Sequence, residues 1–270
     1  MSMKTWILAT AVFALGTVVA LGQQTPEPAP STSPVAPQPQ TKSQEEMNAL
    51  QAIFSAITPE ARIQACDKLV EDFPETEFKG FAMYLAAATA QQLDDYERLM
   101  VYGERTLEAD PNNYGAMLIM ASALGQKTRE FDLDKEEKLK RAEDYANRAV
   151  EILETAPRPR ADISDEQWAA AKKDFDAQAH QALGLVAMVR KDYEKAIMEF
   201  RVAIGNTSMQ DPATHIRLAH VLNQAKKYDQ AVAVIDALMA DPQLDPQIRQ
   251  FAEQERAFAV QNKQNSAQQQ

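Results

Sequence analysis

Three histidines, one cysteine and a run of carboxylates are the side chains whose types could do chemistry. His180 and His215 stand at equivalent points of two similar stretches, and His220 follows His215 by five residues. That interval does not bring two side chains onto one helix face, so no pair is set to share a metal ion or relay a proton. Cys66 falls on an apolar stripe and reads as a buried, inert thiol, because no low-pKa environment surrounds it. Asp132, Asp134, Glu136 and Glu143 imitate the alternating carboxylates of a calcium loop. Glu137 stands where such a loop needs glycine, which leaves solvated charge at a helix start. The chain has no HExxH, no paired cysteines, no glycine-rich phosphate loop and no nucleophile elbow. These residues predict no enzyme, no metal ligands and no cofactor.

The elements that carry these residues are more informative. Tyr193, Ala196, Phe200 and Ala203 superpose on Tyr228, Ala231, Ile235 and Leu238 with a constant offset of 35, which is an internal repeat. An apolar residue beside a small one precedes each set, as Leu183-Gly184 and Leu218-Ala219. Small side chains at a crossing let two antiparallel helices approach, and the large ones beside them fill the space above and below. One such pair cannot bury its apolar faces alone and needs neighbours on both sides.

This order of residues resembles the tetratricopeptide repeat family. The resemblance rests on Gly184, Tyr193, Ala196, Phe200 and Ala203 with Pro212 closing the unit, and on Ala219, Tyr228, Ala231 and Ile235 in the next, where His215 takes the family's frequent Trp position. It implies an all-α, right-handed superhelical solenoid of antiparallel helix pairs, with about five repeats and a C-terminal capping helix. The amino-terminal unit, the most degraded, runs from Ser43 through Thr58-Pro59, an N-cap with proline at the first helical position, to Phe73-Pro74. The second ends on Asp110-Pro111, the family's inter-repeat turn. The third is opened by an insertion around 127–137 that should project from one edge. Ser164 and Gln167 then make a capping box for a long first helix in the fourth unit. Trp168 and Phe175, seven apart on that helix, are expected to pack on the insertion, the alternative being an exposed apolar patch for a partner. After the fifth unit, Asp245-Pro246 starts the cap.

Carried across residue by residue, the family pattern lines the concave face with Phe81, Tyr84, Ala88 and Gln91, then Leu118, Ser122 and Gln126. It continues through Gln178, Gln181, Leu185 and Met188 to Ile216, His220, Asn223 and Gln224. Arg217 is the one residue close to the Lys, Arg and Asn set with which some members capture a chain-end carboxylate, so the resemblance does not extend to that ligand. A groove with aromatic and Met anchors among amides suits an extended segment or a helix of another protein.

At the other end, Lys4, an apolar run from Trp6 to Leu21 and the small-residue ending Ala20-Leu21-Gly22 describe a secretory signal peptide over 1–22. The run is short for an uncleaved anchor, which needs about 20 apolar residues, and membrane contact is expected only if the segment is retained. Residues 23–42, rich in Pro and Gln, predict a disordered spacer. The repeat domain is then 43–261, followed by a polar tail at 262–270. The net charge of −11 repels phosphate backbones and anionic lipid heads, which argues against nucleic acid as a partner. Together these features predict a periplasmic or secreted, non-catalytic adaptor that binds other proteins or peptides and no small-molecule substrate. The alternative is a self-associating structural accessory of outer-membrane or cell-wall assembly.

Overall fold

A computed structural model describes residues 33–208 and 211–268. The expected signal peptide and the first part of the expected spacer lie outside the described residues. Among the described residues eleven helices follow in chain order: α1 (Gln44–Ser55), α2 (Pro59–Asp72), α3 (Lys79–Gln92), α4 (Tyr96–Ala109), α5 (Tyr114–Lys127) and α6 (Lys135–Thr155), then α7 (Asp165–Val189), α8 (Tyr193–Asn206), α9 (Pro212–Gln224), α10 (Tyr228–Met239) and α11 (Pro246–Gln268). Among the described residues there is no strand, only an isolated bridge between Val35 and Arg158. Consecutive helices pair, and each pair packs on the next. The molecule is an all-α solenoid of antiparallel pairs, with α11 closing the end against α9 and α10.

Caps and turns fix where each helix begins and ends. The side chains of Ser43, Thr58, Asp95, Asn113, Ser164 and Asp192 each accept a hydrogen bond from the backbone N–H three residues on, satisfying donors that a helix start leaves unpaired. The turns α3–α4, α7–α8 and α9–α10 share one geometry. Asp94, Lys191 and Lys226 sit at φ 54°, 64° and 59°, and the next N–H reaches back to the carbonyls of Ala90, Ala187 and Leu222. This left-handed residue with its back-bonded neighbour ends one helix and reverses the chain within three residues.

Where the pairs cross, small residues set the distance. Gly184 lies under the Phe200 ring, so close that a Cβ there would sit 2.5 Å from the ring edge. Phe200 is fully buried, as are Ala196, Ala203, Ala219, Ala231 and Ile235. The repeated small residues therefore line the crossings, and the apolar area removed from water, at roughly 25 cal/mol per Å², holds the stack together.

The third pair departs from this plan at both ends. Residues 128–134 separate α5 from α6, and α6 runs for 21 residues where α4 and α8 have 14. Part of the expected insertion has become helix, leaving a shorter loop than 127–137. At the far end, residues 156–164 connect α6 to the long α7. Trp168 is buried, donates from Nε1 to the Ala156 carbonyl at 3.1 Å and meets Phe175 edge-on. Its contact is the end of α6 rather than the insertion, because α7 begins well ahead of its crossing at Gly184 and reaches past the regular unit.

Residues 33–42, read from composition as free spacer, bind the domain instead. Arg158 N donates to the Pro34 carbonyl and Ala36 N to the Arg158 carbonyl, at 2.9 and 2.8 Å. The buried Arg158 guanidinium donates to the carbonyls of Ser33 and Ile163. Further along, Gln38 donates to the Pro159 carbonyl, Gln40 N to Glu77 and Lys42 Nζ to the Glu75 carbonyl. Proline-rich chain has no internal hydrogen bonds, so its backbone groups are free to pair with an irregular loop. The strap runs from the α6–α7 connection to the α2–α3 connection. At the other terminus α11 extends to Gln268, through residues assigned above to the polar tail.

Candidate functional site

The first helices of the pairs, α3, α5, α7 and α9, carry the residues expected to line a groove. The structure divides them into three groups. Leu118, Leu185 and Asn223 are 2%, 3% and 3% exposed and belong to the interior, which corrects their assignment as lining residues. Leu118 belongs to the apolar core that includes Ala146 and Ala182, and Leu185 lies over Gly125 of α5, where a Cβ would approach its side chain to 3.0 Å. Asn223 donates to the carbonyl and the carboxylate of Glu255 on α11. The physical reason is that the neighbouring first helices α5 and α7 are themselves in contact, and α9 is covered by the closing helix α11, so a stripe that faces a groove elsewhere faces a neighbour.

A second group forms an aromatic edge toward the amino-terminal end. Phe81 is partly exposed and its ring lies 6.0 Å from that of Phe54, also exposed. Tyr84 lies over Gly115, where a Cβ would approach its ring to 2.9 Å, and burial pushes its phenol pKa up. Tyr114 continues the row to Phe175, with centroids 5.1 Å apart. Gln91 is half-buried, exposed Gln126 donates to Ser122, and Gln181 donates to Asp211. The amides of Gln126 and Gln181 are thus used within the fold.

The third group makes a recess. Met188, Ile216, Arg217, His220 and Gln224 converge with Val189, Lys191, Tyr193, Glu130 and Glu255 around a cavity of about 600 Å³. Of the expected groove residues, Met188 of α7 and Ile216, His220 and Gln224 of α9 meet there. Glu130 from the α5–α6 loop and Glu255 from the cap come from segments that a pattern confined to first helices does not contain, and Lys191 is the left-handed turn residue. Glu255 faces two opposing influences: burial pushes its carboxyl pKa up, but hydrogen bonds from His220 at 3.0 Å and Asn223 at 2.8 Å outweigh it and hold it low. The same contact raises His220 above the usual imidazole value. Lys191 pairs with Glu130. Arg217 has no ion pair or hydrogen bond among the described residues, and burial holds its pKa below the ordinary guanidinium value against the pull of Asp211. The recess therefore combines apolar walls, two satisfied ion pairs and one guanidinium without an ion pair or hydrogen bond among the described residues.

The remaining chemistry-bearing residues are spent on structure. His180 Nδ1 is 2.6 Å from Glu199, a buried carboxylate, and His215 Nδ1 is 3.0 Å from the Asp211 carbonyl. The three imidazoles face three different partners. Of the calcium-like carboxylates, Asp132 and Asp134 pair with Lys138, Glu136 with Arg190, and Glu143 with Arg190 and Lys195. Among the described residues no cluster of three or more His, Cys, Asp or Glu is placed to hold a metal ion. Cys66 is buried, and desolvation pushes its thiol up to about 12. No described helix is long and apolar enough to cross a membrane.

No protein-family model matches the chain, and no curated protein matches it. Among solved structures, a thermophilic tetratricopeptide repeat protein of Thermus thermophilus aligns at 16% identity over 78% of this chain and 98% of that one, with a TM-score of 0.53. MamA from Desulfovibrio magneticus RS-1 aligns at 18% identity over 73% and 93%, with a TM-score of 0.45. The first shares the fold of this chain; the second is too distant to add to that.

Proposed function

We propose that this chain is a non-catalytic protein-interaction scaffold of the cell envelope that takes a peptide segment or helix of another protein along the face formed by α3, α5, α7 and α9. The observation that carries the reading is the recess at Met188, Ile216, Arg217, His220 and Gln224, where apolar walls and a lone guanidinium adjoin an amide. A bound segment would place an apolar side chain against Met188 and Ile216 and its polar backbone against Gln224. The aromatic edge at Phe54 and Phe81 offers a second anchor. Envelope placement is supported by the amino-terminal pattern of Lys4, the apolar run and Ala20-Leu21-Gly22.

The test is capture of partners from envelope extract by wild type and by Phe81→Ser/Gln224→Arg, a pair chosen because both side chains reach solvent. Leu185 is unsuitable, since truncating a buried leucine costs about 2–5 kcal/mol and confuses binding with folding. Loss of partner with an unchanged melting temperature supports the groove; a partner retained by the variant removes it. Amino-terminal sequencing of the mature protein tests export, and an intact Met1 ends that part of the reading.

A further inference from the structure

The loop between α5 and α6 presents two large apolar side chains to solvent: Phe131 is 87% exposed and Leu133 is fully exposed. These are not incidental ends of a slack loop. Asp132 N donates to the Arg129 carbonyl, Arg129 N to the Asp132 carboxylate and Lys135 N to the Asp132 carbonyl, at 3.1–3.2 Å. Lys138 holds Asp132 and Asp134, and Glu130 is tied to Lys191 at the next turn. A held projection with two apolar side chains loses little freedom on docking and makes a good anchor.

Immediately beside it lies the recess already described, since Glu130 is one of its walls. The projection is apolar and flanked by carboxylates, of which Asp134 is about half exposed. The recess has apolar walls at Met188, Val189 and Ile216, beside an Arg217 that makes no ion pair or hydrogen bond among the described residues. Each is the chemical complement of the other, and they lie next to each other on one surface. A patch that carries both a projection and its matching recess is self-complementary under a two-fold rotation, which seats each copy's projection in the other's recess.

We infer that a second copy of this chain is the occupant: two molecules associate about a two-fold axis, with Phe131 and Leu133 of each entering the Met188, Ile216 and Arg217 recess of the other. A docked phenylalanine and leucine would bury roughly 300–400 Å² per copy, with a similar area of recess, which approaches the ~800 Å² per partner of a stable interface. The contact uses the recess assigned above to a foreign segment but does not depend on one, and in the dimer such a segment would have to displace the second copy.

Sedimentation velocity of the purified full-length protein between about 1 and 100 µM, at a salt concentration that screens the repulsion of two acidic copies, reads the association directly. The expected result is a monomer–dimer equilibrium in the wild type. Phe131→Ser/Leu133→Ser, which touches only exposed side chains, and Arg217→Glu, which reverses the recess charge, should each weaken it at least about tenfold. Mixing the two variants should restore part of the association, because the first retains its recess and the second its projection, so one seat of two survives. Arg217→Gln replaces Arg217→Glu should circular dichroism show the charge reversal unfolded. A wild type that stays monomeric throughout overturns the inference. A dimer indifferent to the Phe131/Leu133 pair also overturns it and assigns association to another face, such as Phe251 and Phe258 on α11. Partner capture that fails while the dimer forms would sink only the foreign-segment reading, and the reverse outcome only this one.

Discussion

The regular pairs and the opened third pair solve the same problem in opposite ways. In α3–α4, α7–α8 and α9–α10 the chain reverses through one left-handed residue with its back-bonded neighbour, and almost every side chain near the crossing is spent on packing. In α5–α6 the reversal takes residues 128–134, the crossing is still filled by Ala142, Ala146 and Ala149, and the surplus residues go to solvent. The difference teaches that the stack tolerates an open turn as long as the small residues at the crossing are kept. Loop closure becomes only slowly more costly with length, so the insertion adds surface at little cost in stability.

The sharpest way to break the comparison is to crowd a regular crossing. Gly184→Val should cost about 3 kcal/mol or more in thermal or denaturant unfolding, because the new side chain meets the rigid Phe200 ring. Gly103→Ala should cost much less, since the atom it meets is the flexible Met120 thioether and alanine gains up to about 1 kcal/mol of helix propensity. Equal effects would mean that the close approach at Gly184 is not a structural requirement.

Next in size, Arg158→Ala at the far end of the irregular pair should lower stability by roughly 2 kcal/mol, since charge-assisted hydrogen bonds to backbone carbonyls are lost. It should also open residues 33–42 to limited proteolysis. Cleavage at the wild-type rate would show that the strap does not rest on this arginine.

A smaller effect appears with pH. His180 and His220 both have imidazole pKa values raised by a hydrogen-bonded carboxylate, Glu199 and Glu255. A raised folded pKa stabilises fully below the unfolded value near 6.5, and that stability is lost as pH rises through the folded value. Melting temperature should therefore fall from pH 6 toward pH 8, and His220→Gln should remove part of that slope. Because His220 is about half exposed, its share should stay under about 1 kcal/mol. A slope unchanged in both His180→Gln and His220→Gln would place the dependence elsewhere.

The smallest change sharpens the contrast between the turns. Lys191→Gly and Lys226→Gly should each stabilise by roughly 0.5–1 kcal/mol, because glycine adopts the left-handed region without the strain of a Cβ. In the open turn, at a protein concentration too low for copies to associate, Phe131→Ser/Leu133→Ser should leave the unfolding free energy within about 0.5 kcal/mol of wild type. A large loss there would mean that the loop's apolar side chains support the fold.

Much of this architecture was legible in the residues. The offset relating Tyr193, Ala196 and Phe200 to Tyr228, Ala231 and Ile235 is a statement about helix crossings, and small residues at crossings have few other uses. The candidate site was legible only in part. Repeat register puts Met188, Ile216, His220 and Gln224 on one stripe, and these four line the recess, whereas it also puts Leu118, Leu185 and Asn223 on a surface they do not reach. Register reports which side of a helix a residue occupies, but not how close the adjacent helix comes. Glu130 and Glu255 had no register to follow, since one lies in an insertion and the other in the cap.

The sequence by itself determined that the chain forms helices in antiparallel pairs, where most of them begin, and which small residues must meet, because caps, periodicity and residue size act over a few neighbours. Only the tertiary structure decided which stripes face a neighbour and which face solvent, that residues 33–42 lie against Arg158, and that an insertion stands beside a recess of complementary chemistry. Those outcomes depend on contacts between residues tens to more than a hundred positions apart, such as Gln38 with Pro159, and such pairings follow from the packing of the whole stack rather than from any local pattern.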